Sequence, residues 1–376
     1  MSKKKGLYSV PYTIFGNEYI DPEAIRQMDE AVRLPVSLRG ALMPDAHVGY
    51  GLPIGGVLAT YNSIIPFGVG MDIGCRMCLS IYKTDPGIIE KSRSSLADLL
   101  MKNTRFGRAE FSDIEGHQIL ERSEFKEIPF LRTLKDTARQ QLGTSGHGNH
   151  FVDMGILRFE TMEEAEKLDL PVRHHTEESP LLYFSILSHS GSRNMGAQIA
   201  RHYTRTAQEK RGMSGANKNL AWLDLDEEEG QEYWKAMNLA GDYSAVNHRL
   251  IHQRLSGALG ETPIKIIENH HNFAWRDPRE EHIIIHRKGA TPAQKDSLAI
   301  IPGSMTAPAY IVSGLGNESS LCSAAHGAGR LLSRNQAKKK IRKNQLDDKL
   351  KQSGVTLLGG GADEAPMAYK DINRVM

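Results

Sequence analysis

Five short stretches constrain this chain more than any other feature, each a glycine-rich turn carrying histidine, asparagine, aspartate or cysteine. They are Gly68-Val69-Gly70-Met71-Asp72-Ile73-Gly74-Cys75, Gly143-Thr144-Ser145-Gly146-His147-Gly148-Asn149-His150, His189-Ser190-Gly191-Ser192-Arg193, Asn269-His270-His271-Asn272 and His326-Gly327-Ala328-Gly329-Arg330. Glycine lets backbone approach a ligand closely or take positive φ, so its NH groups can cradle phosphate. Imidazole, carboxylate and thiolate supply metal ligands or nucleophiles. Taken singly, each stretch has a plain structural reading. Their co-occurrence in one chain points to a shared polar site. With 35 glycines and 15 histidines in 376 residues, glycine exceeds its average usage of about 7%.

The elements between these turns predict an α+β fold. Asp21-Pro22 reads as an N-cap with proline at the first helical position, opening a helix through Val32 with Ile25, Met28 and Val32 on one face. Asp85-Pro86 repeats that signature before a helix ending near Leu100. Leu131, Leu134, Ala138 and Leu142 mark a third helix, stopping at Gly143. A long polar-rich helical region spans 225–257, interrupted by Gly241, and a last helix starts near Gly329 with Leu331 and Leu332. Strands are expected at 181–187, 264–267, 282–285, 298–301 and 310–312. Helices and strands do not alternate regularly, which disfavours a doubly wound parallel sheet and favours mixed sheets flanked by helices. No internal repeat or linker divides the chain, so residues 1–376 are expected to form a single large domain.

Composition narrows the class. The net charge of +2 excludes a chain that grips nucleic acid by bulk charge. No apolar run reaches the roughly 18 residues needed to span a bilayer, and the basic start Met1-Ser2-Lys3-Lys4-Lys5-Gly6 lacks a signal-peptide core. Three cysteines argue against a disulfide scaffold. A cytoplasmic location and no membrane partner are the expectation. The run Lys338-Lys339-Lys340-Ile341-Arg342-Lys343 could hold RNA phosphates or be a solvated helix face.

Asp72-x-x-Cys75 places a hard and a soft ligand one turn apart. His189 closes an apolar strand, and His271 follows another with His270 beside it; spacing alone leaves open which of the pair turns inward. No Cys-x-x-Cys pair exists, so zinc-finger arithmetic fails, and Cys78 and Cys322 read as core thiols. His326 precedes Gly-Ala-Gly at an expected helix start, where backbone NH groups would favour phosphate and Arg330 and Arg334 would follow on the same face. It could act as base, ligand or nucleophile at phosphorus, or simply cap the helix.

The ordered set Met43-Pro44-Asp45-Ala46-His47, Gly70-Met71-Asp72-Ile73-Gly74-Cys75, Gly148-Asn149-His150-Phe151, His189-Ser190-Gly191-Ser192-Arg193, Arg287-Lys288-Gly289-Ala290-Thr291, Ala325-His326-Gly327-Ala328-Gly329-Arg330 and Asp363-Glu364-Ala365-Pro366 resembles the RtcB-type RNA ligases over nearly the whole chain. The resemblance implies a GTP- and manganese-dependent enzyme. It would join RNA 3′-phosphate or 2′,3′-cyclic phosphate ends to 5′-hydroxyl ends, in tRNA splicing or RNA repair, with tRNA halves or broken RNA as partners and an activating protein as a further one. By resemblance, Asp72, Cys75, His150, His189 and His271 would hold two Mn2+ ions with Cys75 shared, and His326 would form a covalent histidine–GMP intermediate. GTP contacts would fall on Asn149, His150, Phe151, Val152, Asp153, His271, Asn272, Pro302, Gly303, Ser304, Met305, Ala309, His326, Gly327, Ala328, Gly329 and Tyr369, the last against guanine. Arg193, Arg330 and Arg334 would receive RNA phosphates.

The chain departs from the family pattern in places. Asp153 stands where glutamate is usual, Thr306 where glycine is, and Ala309 where serine often is. The family continues beyond the Ala368-Tyr369-Lys370-Asp371 motif to a lysine that contacts guanine, whereas this sequence stops at Met376. The C-terminal end is therefore expected to be incomplete. These departures keep two other readings open: a dimetal phosphoesterase acting on RNA ends, and a non-catalytic RNA-binding paralogue.

Overall fold

A computed structural model of the chain describes residues 9–107, 109–111, 116–171 and 180–376; the N-terminal lysines lie outside them. The first helix, α1 (Pro22–Ala31), forms as its capping signals require: the Asp21 side chain accepts from Glu23 N at 2.8 Å with Pro22 in the first turn. Ala24, Met28 and Ala31 are its buried residues.

Two sheets dominate. One contains β1 (Tyr12–Ile14), β2 (Ser37–His47) and β3 (Ile54–Tyr61). The other contains β4 (Arg76–Tyr82), β5 (Phe151–Phe159), β6 (Leu181–Ser190) and β7 (Lys265–His270). The chain then returns to the first sheet as β8 (Asn272–Arg276) and β9 (Ile283–Lys288). Strand orders are β1-β2-β3-β9-β8 and β5-β6-β4-β7. Only β1–β2 is parallel among these pairings. The expected α+β architecture with mixed sheets and flanking helices is present. His271 is the single residue between β7 and β8, so it sits where the chain passes from one sheet to the other.

Helices α2 (Arg193–Arg211) and α3 (Glu228–Leu259) pack together in the largest apolar cluster, with Ile199, Tyr203, Met237 and Tyr243. Gly241 does not interrupt the helical region. α3 runs unbroken through it, because the glycine serves close approach instead: a Cβ there would lie 2.8 Å from the Phe273 ring, and one on Gly74 would lie 2.9 Å from Gly241 Cα. One side of α3 carries a polar seam spaced four residues apart. Ser244 donates to Gly74 O, His248 and His252 meet Ser188 Oγ, and Ser256 meets the Tyr82 hydroxyl.

Several other boundaries differ from expectation. The helix after Asp85-Pro86 is split at Ser92 into Ile88–Lys91 and Arg93–Asn103. The third is split into Pro129–Arg132 and Lys135–Gln141. The last does not begin at Gly329: Ser333 caps a helix over Arg334–Lys340 through a capping box with Gln336, and Lys343–Gln352 follows. Leu331 and Leu332 precede it. Lys338, Lys339 and Lys340 are exposed on its last turn. Cys78 is buried as expected, but Cys322 is only partly so. Among the described residues no helix is long and apolar enough to cross a membrane.

Candidate active site

Four of the five glycine-rich stretches meet at one place, and the Asp72 turn supplies the first donors. Cys75 N donates to Asp72 O at 3.1 Å, closing the turn just before β4. His150 stands just before β5, His189 near the end of β6 and His271 between β7 and β8. Their inward atoms form two triads that share one thiol: Cys75, His189 and His271 in one, and Asp72, Cys75 and His150 in the other, the ligand atoms of each within 4.8 Å of one another. Cys75 Sγ lies 3.2 Å from His189 Nε2 and 3.5 Å from His150 Nε2. His150 Nε2 is 2.7 Å from Asp72 Oδ2, and His189 Nε2 is 3.2 Å from His271 Nε2. His271, not His270, faces this cluster; the His270 ring packs against Phe273 and Trp275.

The electrostatics suit a cation. Burial takes His189 down to about 3 and His271 well below its ordinary value, so both imidazoles are neutral. Burial raises the Asp72 carboxyl, but pairing with His150 outweighs it and holds the group at about 2. Burial, then Asp72, pushes the Cys75 thiol far up. His189 Nδ1 donates to Asn149 O at 2.9 Å, leaving Nε2 as a lone pair aimed inward. The buried His150 Nδ1 and His271 Nδ1 have no hydrogen-bond partner. Converging lone pairs, a carboxylate and a thiol that a metal would ionise are a donor set suited to a divalent cation. The residues present fit such a group, and zinc would suit the donors as well as manganese.

His326 adjoins this cluster, its ring 5.0 Å from that of His271. The strand Ser323–Ala325 delivers it by pairing with Ala290–Pro292, just past β9. Fully buried Asp45, on β2, fixes its orientation: Asp45 Oδ2 accepts from His326 Nδ1 at 2.6 Å and from its backbone N at 3.0 Å. In the neutral ring this places the lone pair on Nε2. Gly289, at φ +61°, makes room, since a Cβ there would fall 3.0 Å from His326 Cε1. Lys370 Nζ donates to the carbonyls on either side of Asp45, Pro44 O at 3.1 Å and Ala46 O at 2.8 Å. Sequence reasoning assigned no role to Asp45 or Lys370, although both stand in quoted motifs.

The other expected contacts divide. Phe151 sets its ring 5.7 Å from that of His189, and Asp153, two residues on along the strand, is exposed. The Val152 side chain instead packs in the core with Phe184 and Ile251. Asn272 is a structural clip, donating to Asp72 O at 3.3 Å and accepting from Gly289 N at 2.7 Å. Pro302, Gly303, Ser304 and Met305 follow the strand Leu298–Ile301, and exposed Ala309 precedes Tyr310–Ser313. Gly327 lies against Pro302 O, and Met305 shares an apolar cluster with Tyr369. Gly327-Ala328-Gly329 is not a helix N-terminus, because the helix starts at Arg334.

The three arginines also differ in their surroundings. Arg193, held at φ +58°, donates to Thr144 Oγ1 at 3.0 Å and approaches Gly146 together with His150. Arg330 is committed internally, to Glu364 and the Tyr369 hydroxyl, with its guanidinium over the Tyr369 ring. Arg334 is 40% exposed and bonds Asn149 Oδ1 at 3.2 Å as well as pairing with Glu364. Glu364, also bonded to Tyr369, is thus a hub that spacing did not reveal.

A family model described as tRNA-splicing ligase RtcB matches residues 27–129 and 121–376. The RNA-splicing ligase RtcB of Escherichia coli K12 is 30% identical, the match covering 95% of this chain and 90% of that protein. The tRNA-splicing ligase RtcB of Nanoarchaeum equitans is 29% identical over 99% of this chain and 92% of its own. That of Thermococcus kodakarensis is 28% identical over 96% and 90%. By family match and by this extent of similarity, the chain belongs to the RtcB family.

Proposed function

We propose that this protein is an RNA ligase that joins an RNA 3′-phosphate or 2′,3′-cyclic phosphate end to a 5′-hydroxyl end, with GTP as co-substrate and two manganese ions. Residues 1–376 would act as one ligase domain on tRNA halves or broken RNA in the cytoplasm, with an activating protein as a further partner. The observation that carries this reading is the placement of His326, clamped by Asp45 and set against a two-triad cluster that shares Cys75. Asp72, Cys75 and His150 would hold one ion, and Cys75, His189 and His271 the other. Bound there, the metals would offset charge on phosphoryl oxygens and leaving group.

With its Nδ1 proton held by Asp45, His326 presents the Nε2 lone pair. Its attack on the GTP α-phosphorus forms an N–P bond and breaks the bond to pyrophosphate, leaving GMP on His326. An oxygen of the RNA 3′-phosphate then displaces His326, taking GMP as the N–P bond breaks. The 5′-hydroxyl attacks that activated 3′-phosphorus and loses its proton, and GMP departs as the phosphodiester closes. A cyclic end is first hydrolysed to the 3′-phosphate. Arg193 and half-exposed Arg334 would steady the RNA phosphates.

The direct assay offers 3′-phosphate or cyclic-phosphate RNA together with 5′-hydroxyl RNA. Joined product is expected only with GTP and manganese. Ring opening or phosphate release without GTP, and no joining, would favour the phosphoesterase reading instead. Asp45→Asn should slow GMP transfer to His326 by about 10²–10⁴-fold, because an amide no longer holds the proton on Nδ1. A rate within about threefold of wild type, in rapid-quench measurements of adduct formation, would remove Asp45 from the mechanism.

A further inference from the structure

Behind the first centre, on the other face of β4, lies a second set of donors that ligation does not use. Cys78 follows Cys75 by three residues, so the pleat turns its side chain toward α3. There Cys78 Sγ and one ring nitrogen from each of His248 and His252 lie within 4.8 Å of one another, with all three residues buried. Ser188, the cross-strand partner of Cys78, places Oγ 2.8 Å from His248 Nδ1 and 2.8 Å from His252 Nε2. Ser80 Oγ lies 2.7 Å from His252 Nδ1. The His248 ring is also held by a hydrogen bond to the Ser190 backbone.

A polar zipper between helix and sheet accounts for the two serines. It leaves unexplained a buried thiol enclosed with two imidazoles. The first centre offers an internal standard: its own Cys75, His189 and His271 donors meet the same limit, all lying within 4.8 Å of one another. One thiol and two imidazoles select a borderline-soft ion over calcium or magnesium.

We propose that Cys78, His248 and His252 form a second, buried cation site for a divalent ion of the zinc class, with the Ser188 hydroxyl beside it as a fourth donor. On binding, the Cys78 S–H proton leaves to solvent as the sulfur–metal bond forms, and both imidazoles bind neutral. The ion ties α3 to β4 and β6, the strands next to Cys75 and bearing His189, and so braces the first centre from behind. Because the site is enclosed, it is filled as the chain folds. The inference does not depend on the ligase reading.

Cobalt reports on it directly, because a cobalt–thiolate bond gives a charge-transfer absorption that nitrogen and oxygen ligands do not. The chain is produced in cobalt-supplemented medium with Cys75→Ala, which silences the thiolate of the first centre. Expected is a thiolate–cobalt band that disappears in Cys75→Ala/Cys78→Ser, with far-UV circular dichroism unchanged. In the otherwise native chain, Cys78→Ser should lower cobalt content by about one ion per chain while the Cys75 band persists. Should Cys78→Ser fail to fold, His248→Ala must produce the same loss. No thiolate band in Cys75→Ala, or a band that survives Cys78→Ser and so belongs to Cys322, overturns the proposal.

Discussion

On the proposed ligase reading, Cys75→Ala is expected to strip the metal from the first centre and to lower ligation by on the order of 10³-fold or more. The size of the effect follows from the geometry. Cys75 belongs to both triads, so its loss breaks both at once, whereas His150→Ala or His271→Ala would break only one. The remaining donors would be a carboxylate and three imidazoles with no bridging atom between them. Fold stability should change far less, by about 1 kcal/mol, since the thiol is small and is replaced by a residue at home in a buried position. Elemental analysis after dialysis, beside a thermal melt, separates the two effects. Full manganese content and a ligation rate near wild type in Cys75→Ala would show that the shared thiol does not organise the site.

The chemistry of this site was more legible in the sequence than its scaffold. Glycine and polar content marked out the turns that carry Asp72, Cys75, His150, His189 and the His270-His271 pair, the family resemblance narrowed them to five ligands with His271, and the fold brings those five together. The capping signals at Asp21-Pro22 specified α1 almost to the residue. By contrast β4 is buried at every position, so it shows no apolar–polar alternation to betray it. β2 contains Gly40 and Pro44, which read locally as turn signals, and a register shift beyond Leu42 accommodates them. Gly241 read as a helix break because propensity is local, whereas its reason, contact with Gly74 and Phe273, is tertiary. Asp45 escaped assignment for a similar cause. Its partner His326 is 281 residues away, and only the pairing of distant elements makes a carboxylate on β2 the clamp of an imidazole beside β7.

The arginines teach the complementary lesson. Four-residue spacing placed Arg330 and Arg334 on one helical face, but no helix joins them. Both nevertheless reach Glu364, one largely covered beside Tyr369 and the other more open. Charge placement near a site can therefore be foreseen from a motif, while the division between internal brace and open contact depends on packing.

The central claim is that His326, oriented by Asp45 beside the Cys75 cluster, takes the nucleotide covalently. The most direct measurement incubates the protein with α-labelled GTP and manganese, followed by denaturing gel and intact mass. Wild type is predicted to gain label and the mass of one GMP, in an adduct that acid cleaves and alkali spares, as expected of a nitrogen–phosphorus bond. His326→Ala is predicted to gain neither while keeping its manganese, because His326 lies outside both triads. Equal labelling of wild type and His326→Ala, or no labelling of either with the metal bound, would contradict the account.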